Sequence, residues 1–358
     1  MKRISFLTLI LLTCFVSAAW SQSPGAFTKH KIISFDVPGA AGTMPYAINP
    51  SGAITGVYQD ASGVNHGFLR RPHGRITSFD VPGAAGTEPW SINPGGEITG
   101  QYWDTTGMIH GFVRTRNGEF TIFDAAGAGT GSGQGTMGEA INPAGWVGGD
   151  YVDTNGVSHP MLRAPDGAVT EFEVPGASGY YGAWVDGISG LNSTETIAGA
   201  YIEAPANVFH GYVRDPDGTI TQIDVAGAGT GQMQGTLTSS INNAGWIVGS
   251  YVDTNSVNHG FLRSPDGTIT TFDFPHAAQG TVGENINQEG AVVGNYYDGE
   301  GAAHGYVRSP KGKFTRFDCP GAGTGAGQGT IPMSNTVTGA STGYWLDANN
   351  VYHGFVRE

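Results

Sequence analysis

The sequence predicts an all-β fold, a seven-bladed β-propeller with four antiparallel strands per blade and an N-terminal strand closing the last blade. Three observations predict it. A His-Gly-aromatic-aliphatic-Arg motif occurs once per repeat, at His66, His110, His159, His210, His259, His304 and His353, with intervals of 44, 49, 51, 49, 45 and 49 residues. A repeat of this length built from several short strands is the sequence mark of a propeller. Turn residues punctuate the repeat at short, regular spacing, and no stretch after residue 21 carries a helical apolar period. Finally, the two ends complement each other. Lys31–Asp36 reads as a fourth strand with no first three before it, and His353–Arg357 as a third strand with no fourth behind it. Pairing them would close the ring and remove the exposed edges that invite aggregation.

The first repeat sets the order of elements. Met44–Asn49 is the inner strand, and Asn49-Pro50-Ser51-Gly52 a tight turn. Ala53–Asp60 is the second strand, Ala61–Asn65 a loop and His66–Arg70 the third strand. Pro72-His73-Gly74 turns the chain into the fourth strand, Arg75–Asp80. The turns recur, as Asn142-Pro143-Ala144-Gly145 and Pro216-Asp217-Gly218 illustrate. Glycine at the end of such turns is free to take φ > 0.

Composition narrows the function classes. Net charge is −13 with no basic stripe, which disfavours nucleic acid and other polyanions, since phosphate contacts need Lys and Arg. Residues 1–21 read as a secretory signal peptide: Lys2 and Arg3, a mostly apolar Ile4–Val16, then small residues through Ala19 before a cut ahead of Gln22. Thr13 before Cys14 argues against lipid attachment. Residues 22–358 then form a single propeller domain, secreted to the periplasm or beyond, with no membrane insertion. One cysteine remains, Cys319, so no internal disulfide forms.

A feature present in every repeat builds the repeat. Each histidine follows an aromatic, Tyr58 in the first repeat and Trp345 in the last, and an acid, Asp60 or its equivalents. Another acid, such as Asp80, ends the fourth strand. Antiparallel pairing brings His66 near both Asp60 and Asp80, which reads as a fastener at the blade rim rather than seven catalytic dyads. The arginines read as caps on the third strand. Asp153-Thr154-Asn155-Gly156 faintly resembles a calcium loop but lacks the later ligands. Gly321–Ala326 fits a dinucleotide pattern, but a strand follows where a phosphate-binding helix would be needed. No metal and no cofactor is expected.

Function is expected where the repeats differ. Two residues before the inner-strand Ile the series runs Tyr46, Trp90, Glu139, Asp186, Ser239, Glu284 and, in a degenerate last repeat, Met333. Inner strands line the channel of a propeller, so an aromatic pair and three carboxylates would face it or its mouth. Aromatics stack on sugars or cations, and carboxylates accept sugar hydroxyls or hold a cation. The fourth repeat departs furthest, with Tyr180, Tyr181 and Trp184 in its crossover and an apolar loop ending at Phe209. This group would either bind a ligand or pack on the next blade.

The combined pattern is Phe-Asp-x-Pro-Gly, Ile-Asn-x-x-Gly, Gly-x-Tyr-x-Asp and His-Gly-Phe-Leu-Arg. It resembles the bacterial extracellular HAF-repeat family, most closely over Phe35–Arg70 and Phe79–Arg114. Departures fall at Pro160, at Glu173 and Glu203, and over Asn335–Gly343. The resemblance implies export and a repeat fold, and no reaction. The sequence therefore favours a monomeric, non-enzymatic binding module for a glycan or another envelope component, with Tyr46, Trp90, Glu139, Asp186, Glu284, Tyr181 and Trp184 as candidate ligand contacts. A polysaccharide hydrolase or lyase using Glu139, Asp186 and Glu284 is the rival, since carboxylates roughly 5–9 Å apart suit glycoside chemistry. A purely structural envelope protein is the third possibility.

Overall fold

The computed structural model describes residues 30–178, 182–185, 187 and 189–358. The expected signal peptide, together with Tyr180, Tyr181 and Asp186, lies outside the described residues. Ile32–Glu358 form one body, and its elements are all strands.

Strand β1 is Ile32–Phe35. The first meander follows: β2 (Gly42–Ile48), β3 (Ile54–Gln59), β4 (Asn65–Arg70) and β5 (Ile76–Phe79). The next is β6 (Gly86–Ile92), β7 (Ile98–Trp103), β8 (Ile109–Arg114) and β9 (Phe120–Phe123). Then come β10 (Gly135–Ile141), β11 (Val147–Val152), β12 (Ser158–Arg163) and β13 (Val169–Glu171). A short β14 (Ala183–Val185) leads β15 (Ile197–Glu203), β16 (Val208–Arg214) and β17 (Ile220–Ile223). The chain continues through β18 (Gly235–Ile241), β19 (Ile247–Val252), β20 (Asn258–Arg263) and β21 (Ile269–Phe272). Next are β22 (Thr281–Ile286), β23 (Val292–Tyr297), β24 (Ala303–Arg308) and β25 (Phe314–Phe317). The last run is β26 (Gly329–Asn335), β27 (Ser341–Leu346) and β28 (Tyr352–Arg357). Its outer neighbour is β1, which pairs antiparallel with β28, Ile32 opposite Arg357 and Phe35 opposite Gly354. Single parallel bridges, such as Gly135 opposite Ile109, join some meanders into eight-stranded sheets, giving three of these and one of four strands.

The recurring residues do recurring work. In β3 and β4, Tyr58 lies opposite His66 and stacks on its ring, centroids 5.1 Å apart. His66 Nδ1 lies 3.0 Å from the Asp80 carboxylate, and Nε2 lies 3.5 Å from Asp60. The same three-part contact recurs through His353, held between Asp36 at 3.0 Å and Asp347 at 3.9 Å and stacked on Trp345. Asp60 also takes the backbone N–H groups of Ser62 and Val64, so it folds the loop that it fastens. The glycine after the histidine is required by contact: a Cβ on Gly67 would stand 2.6 Å from the Phe79 ring. In the crossovers, the buried Thr43 hydroxyl accepts the Val37 N–H, as Thr136 accepts Ala125 N–H. In the Gly-rich crossovers, Gln134 accepts the Gly131 N–H and donates to the Thr154 carbonyl, so these loops close on their own glutamine.

The arginines do more than cap a strand. Arg70 lies over the Phe35 ring at 4.8 Å, Arg114 over Phe79 at 4.5 Å and Arg357 over Phe317 at 5.1 Å. In each case the ring comes from the outer strand of the neighbouring meander. The guanidinium therefore staples one meander to the next by a cation–π contact. Between meanders sit fully buried Phe68, Phe112, Phe261 and Phe355, each worth roughly 1.5–3 kcal/mol of burial.

At the inner end a chain of asparagines runs from meander to meander. Asn49 Nδ2 donates to the Asn93 carbonyl, Asn93 to Asn142, Asn142 to Asn192, Asn192 to Asn242, Asn242 to Asn287 and Asn287 to Thr336, at 2.8–3.3 Å. Their Oδ1 atoms cap the following turns, as Asn142 does for Ala144 and Trp146. The motif Ile-Asn-x-x-Gly is thus both a turn and an inter-sheet tie.

Candidate functional site

Residues of six inner strands meet at one cavity. A cavity of about 190 Å³ is lined by Ile48, Ile92, Ile141, Ile241, Ile286 and Ser334, which come from β2, β6, β10, β18, β22 and β26. A second cavity, about 210 Å³, is lined by Trp90, Gly187, Thr238, Ser239, Glu284, Asn285 and Met333. Asn285 belongs to both. Its Nδ2 donates to Ser189 Oγ at 2.8 Å and reaches Ser240 Oγ at 3.3 Å. Its Oδ1 accepts the Asn335 N–H at 3.4 Å. It thus stands in the walls of both cavities, tied to its neighbours on three sides.

A local backbone feature explains the variable series. Tyr46, Trp90, Glu139, Ser239, Glu284 and Met333 each occupy the extra position of a β-bulge, where the register slips between the residues on either side. Proline precedes the bulge in β2, β6 and β26, at Pro45, Pro89 and Pro332. Proline has no N–H to give to a ladder, and a bulge is one place a sheet tolerates it. The bulge frees each of these six half-buried side chains from pairing. It also pushes a carbonyl towards the second strand. A Cβ on Gly100 would collide with the Glu88 carbonyl oxygen and the Pro89 Cα, so the glycine of Gly-x-Tyr is obligatory there.

The structure brings several expected residues together. Tyr46 and Trp90 stack face to face, centroids 4.6 Å apart and planes 12° apart. Trp90 and Glu284 share the walls of the second cavity. Burial pushes the Glu284 carboxyl up to about 7. Glu139 stands outside those walls but close to them: a Cβ on Gly187 would lie 3.7 Å from its Oε2. Its carboxyl hydrogen bonds with Asp150, a buried acid in β11 that also accepts from Ser158 Oγ at 2.7 Å. Desolvation pushes Asp150 up to about 6 against those hydrogen bonds.

Other expected residues do not join. Asp186 and Tyr181 lie outside the described residues. Trp184 is half-buried in β14 and meets the buried Phe209 edge-on, centroids 6.4 Å apart, while its carbonyl accepts the Tyr212 hydroxyl. Trp184 and Phe209 thus meet each other within one meander.

Two acids escaped the sequence reading. Glu88 sits two residues before Trp90, half-buried, accepting from Asn65 Nδ2 at 2.6 Å and Gln101 Nε2 at 3.1 Å. Asp150 is the middle residue of its Gly-x-Tyr. Both positions vary across repeats, Met44, Glu88, Met137 at one and Val57, Gln101, Asp150 at the other. That variability was the available signal. Tyr344 and Tyr352 add an edge-on pair at 5.5 Å; burial, then the Glu88 carboxylate, then these two neighbours hold the Tyr46 hydroxyl above the usual range.

No family model matches the chain, and no curated protein matches it. Solved structures do. Virginiamycin B lyase from Staphylococcus aureus superposes with a TM-score of 0.60 at 15% identity, over 92% of this chain and 100% of that one. The β-propeller domain of the Trilobed protease from Pyrococcus furiosus gives 0.56 at 10% identity, over 89% and 95%. A lectin from Burkholderia pseudomallei gives 0.55 at 10% identity, over 89% and 96%. At these identities the likeness is one of fold: the chain is built as a β-propeller.

Proposed function

We propose that this is an exported HAF-type repeat protein whose residues 22–358 form one seven-bladed propeller, and that it binds a glycan or another envelope component at the channel mouth. Export rests on the composition of residues 1–21. Seven blades with β1 completing the last rests on the β1–β28 pairing and on Arg70 over Phe35. It is further supported by the packing of β2 on β26, β27 and β28. The observation that carries the function is the Tyr46–Trp90 stack beside a carboxyl in a small cavity, an aromatic surface with polar groups converging on it. That one fold neighbour is a lectin is consistent with it.

The test is a glycan array and calorimetry on residues 22–358. Saturable binding that Trp90→Ala weakens at least about tenfold supports the reading. An array with no hits, or binding indifferent to Trp90, overturns it. A second reading is favoured by one observation: Glu284, pushed up to about 7 in the wall of the second cavity, keeps its proton where a general acid needs it. Turnover in a polysaccharide panel, abolished in Glu139→Gln or Glu284→Gln, would make the protein a hydrolase or lyase instead.

A further inference from the structure

Resting on the glycan-binding reading, we infer that the second cavity seats a protonated amine, so that the recognised sugar carries a free ammonium group. Glu284 and Trp90 line the same small volume, with Thr238, Ser239 and Asn285 among the remaining walls. Trp90 is backed by Tyr46, so its π-face is held in place for a cation.

The charge balance points the same way. Among the described residues the walls include no Lys, Arg or His. Glu139 approaches at Gly187, hydrogen bonded to Asp150, and Glu88 lies two residues before Trp90 in the same strand. The arginines of the repeats are occupied elsewhere, stacked on phenylalanines between meanders, as Arg70, Arg114 and Arg308 are. Burial raises Glu88, Asp150 and Glu284 alike, and among the described residues no cationic side chain offsets the effect at any of them. An anionic sugar would set like charge against Glu284. A neutral sugar would leave Glu284 holding its proton, the form that burial favours, and would gain no ion pair from it. An ammonium group satisfies the carboxylate and the aromatic face together. At about 210 Å³ the cavity is smaller than sites for drug-sized molecules, roughly 300–1,000 Å³, so it takes an end group or one ring while the rest of the chain stays at the mouth.

Calorimetry on residues 22–358 with three oligosaccharides of equal length tests this: a glucosamine oligomer, its N-acetylated form and a cello-oligomer. The expected result is a preference of at least about tenfold for the glucosamine oligomer, an ion pair plus a cation–π contact. Glu284→Gln, nearly the same shape, should erase the preference with an unchanged melting curve, whereas Trp90→Ala should weaken all the ligands. Equal affinity for the three, still dependent on Trp90, overturns the amine and leaves the glycan reading standing. So does a preference that survives in Glu284→Gln. No binding by any of the three, with none on the array, overturns the glycan reading and the amine with it.

Discussion

Asn142→Ala removes one link of the inner asparagine chain, and its cost can be worked from the contacts. The side chain is about 1% exposed and makes three hydrogen bonds: Nδ2 to the Asn192 carbonyl, and Oδ1 from the N–H groups of Ala144 and Trp146. The Asn192 carbonyl keeps a second donor, Glu195 N–H at 3.3 Å, so losing the first costs about 1 kcal/mol. Ala144 is exposed and its N–H turns to water at little cost. Trp146 is half-buried, and its stranded N–H costs a further ~1–2 kcal/mol. The total is about 2–3 kcal/mol. Urea unfolding followed by tryptophan fluorescence and circular dichroism reads it as a midpoint lowered by roughly 0.7–1 M, taking a slope near 3 kcal/mol/M. Asn142→Asp keeps both acceptor bonds but aims a carboxylate at the Asn192 carbonyl, and should be at least as destabilising. A midpoint unchanged in Asn142→Ala, or a neutral Asn142→Asp, would refute the idea that this chain ties the inner ends together.

Three more predictions follow from contacts already described. Burial alone would lower the His66 pKa, but the Asp80 and Asp60 carboxylates outweigh it and raise it above the ordinary value of about 6.5. The stability gained through His66 is therefore full below about 6.5 and lost as pH rises through the higher folded value, so the stability gap between wild type and His66→Gln should shrink from pH 5.5 to pH 8.5; a gap constant with pH removes the ion-pair account. Gly100→Ala should destabilise by at least about 2 kcal/mol, because its Cβ meets backbone that cannot step aside. Gly63→Ala, with positive φ but open space, should cost only about 1 kcal/mol; equal melting temperatures for the two variants would contradict the bulge argument. Phe35→Ala strips β1 of its contacts with Phe68 and Arg70 and should lower the cooperative unfolding of the whole domain by about 2 kcal/mol; loss of β1 alone, with the main transition untouched, would argue against ring closure.

Strands and turns were legible because each is specified within a few residues. The expected third strand His66–Arg70 and fourth strand Arg75–Asp80 differ from Asn65–Arg70 and Ile76–Phe79 only at their ends. The contacts of His66 were legible because pairing three adjacent strands fixes them. What the sequence hid is whatever depends on a neighbouring meander. The partner of Arg114 is Phe79, on the preceding outer strand, and no spacing within one repeat announces it. Variability marked Tyr46 and Trp90, but the bulge that frees them from pairing is a slip between two strands, visible only once both are placed. Glu88 and Asp150 were hidden for a related reason: their side chains reach the same end of the molecule from different strands, through Gln101 and Ser158.

The bulge has a consequence for how such a chain diversifies. A residue at the extra position contributes nothing to the ladder, so its identity is free of strand pairing; Tyr46 and Trp90 use that freedom to stack across two sheets. Tyr46, Glu139, Ser239 and Met333 differ in size, charge and polarity while the strands that carry them share a burial pattern to within one residue. The scaffold is thereby insulated from the identity of the groups it displays. Randomising these positions in one library, with the fastening His, Arg and Asn residues held constant, would explore recognition at nearly constant fold stability. The repeat supplies the invariance, and the slip in register supplies the freedom.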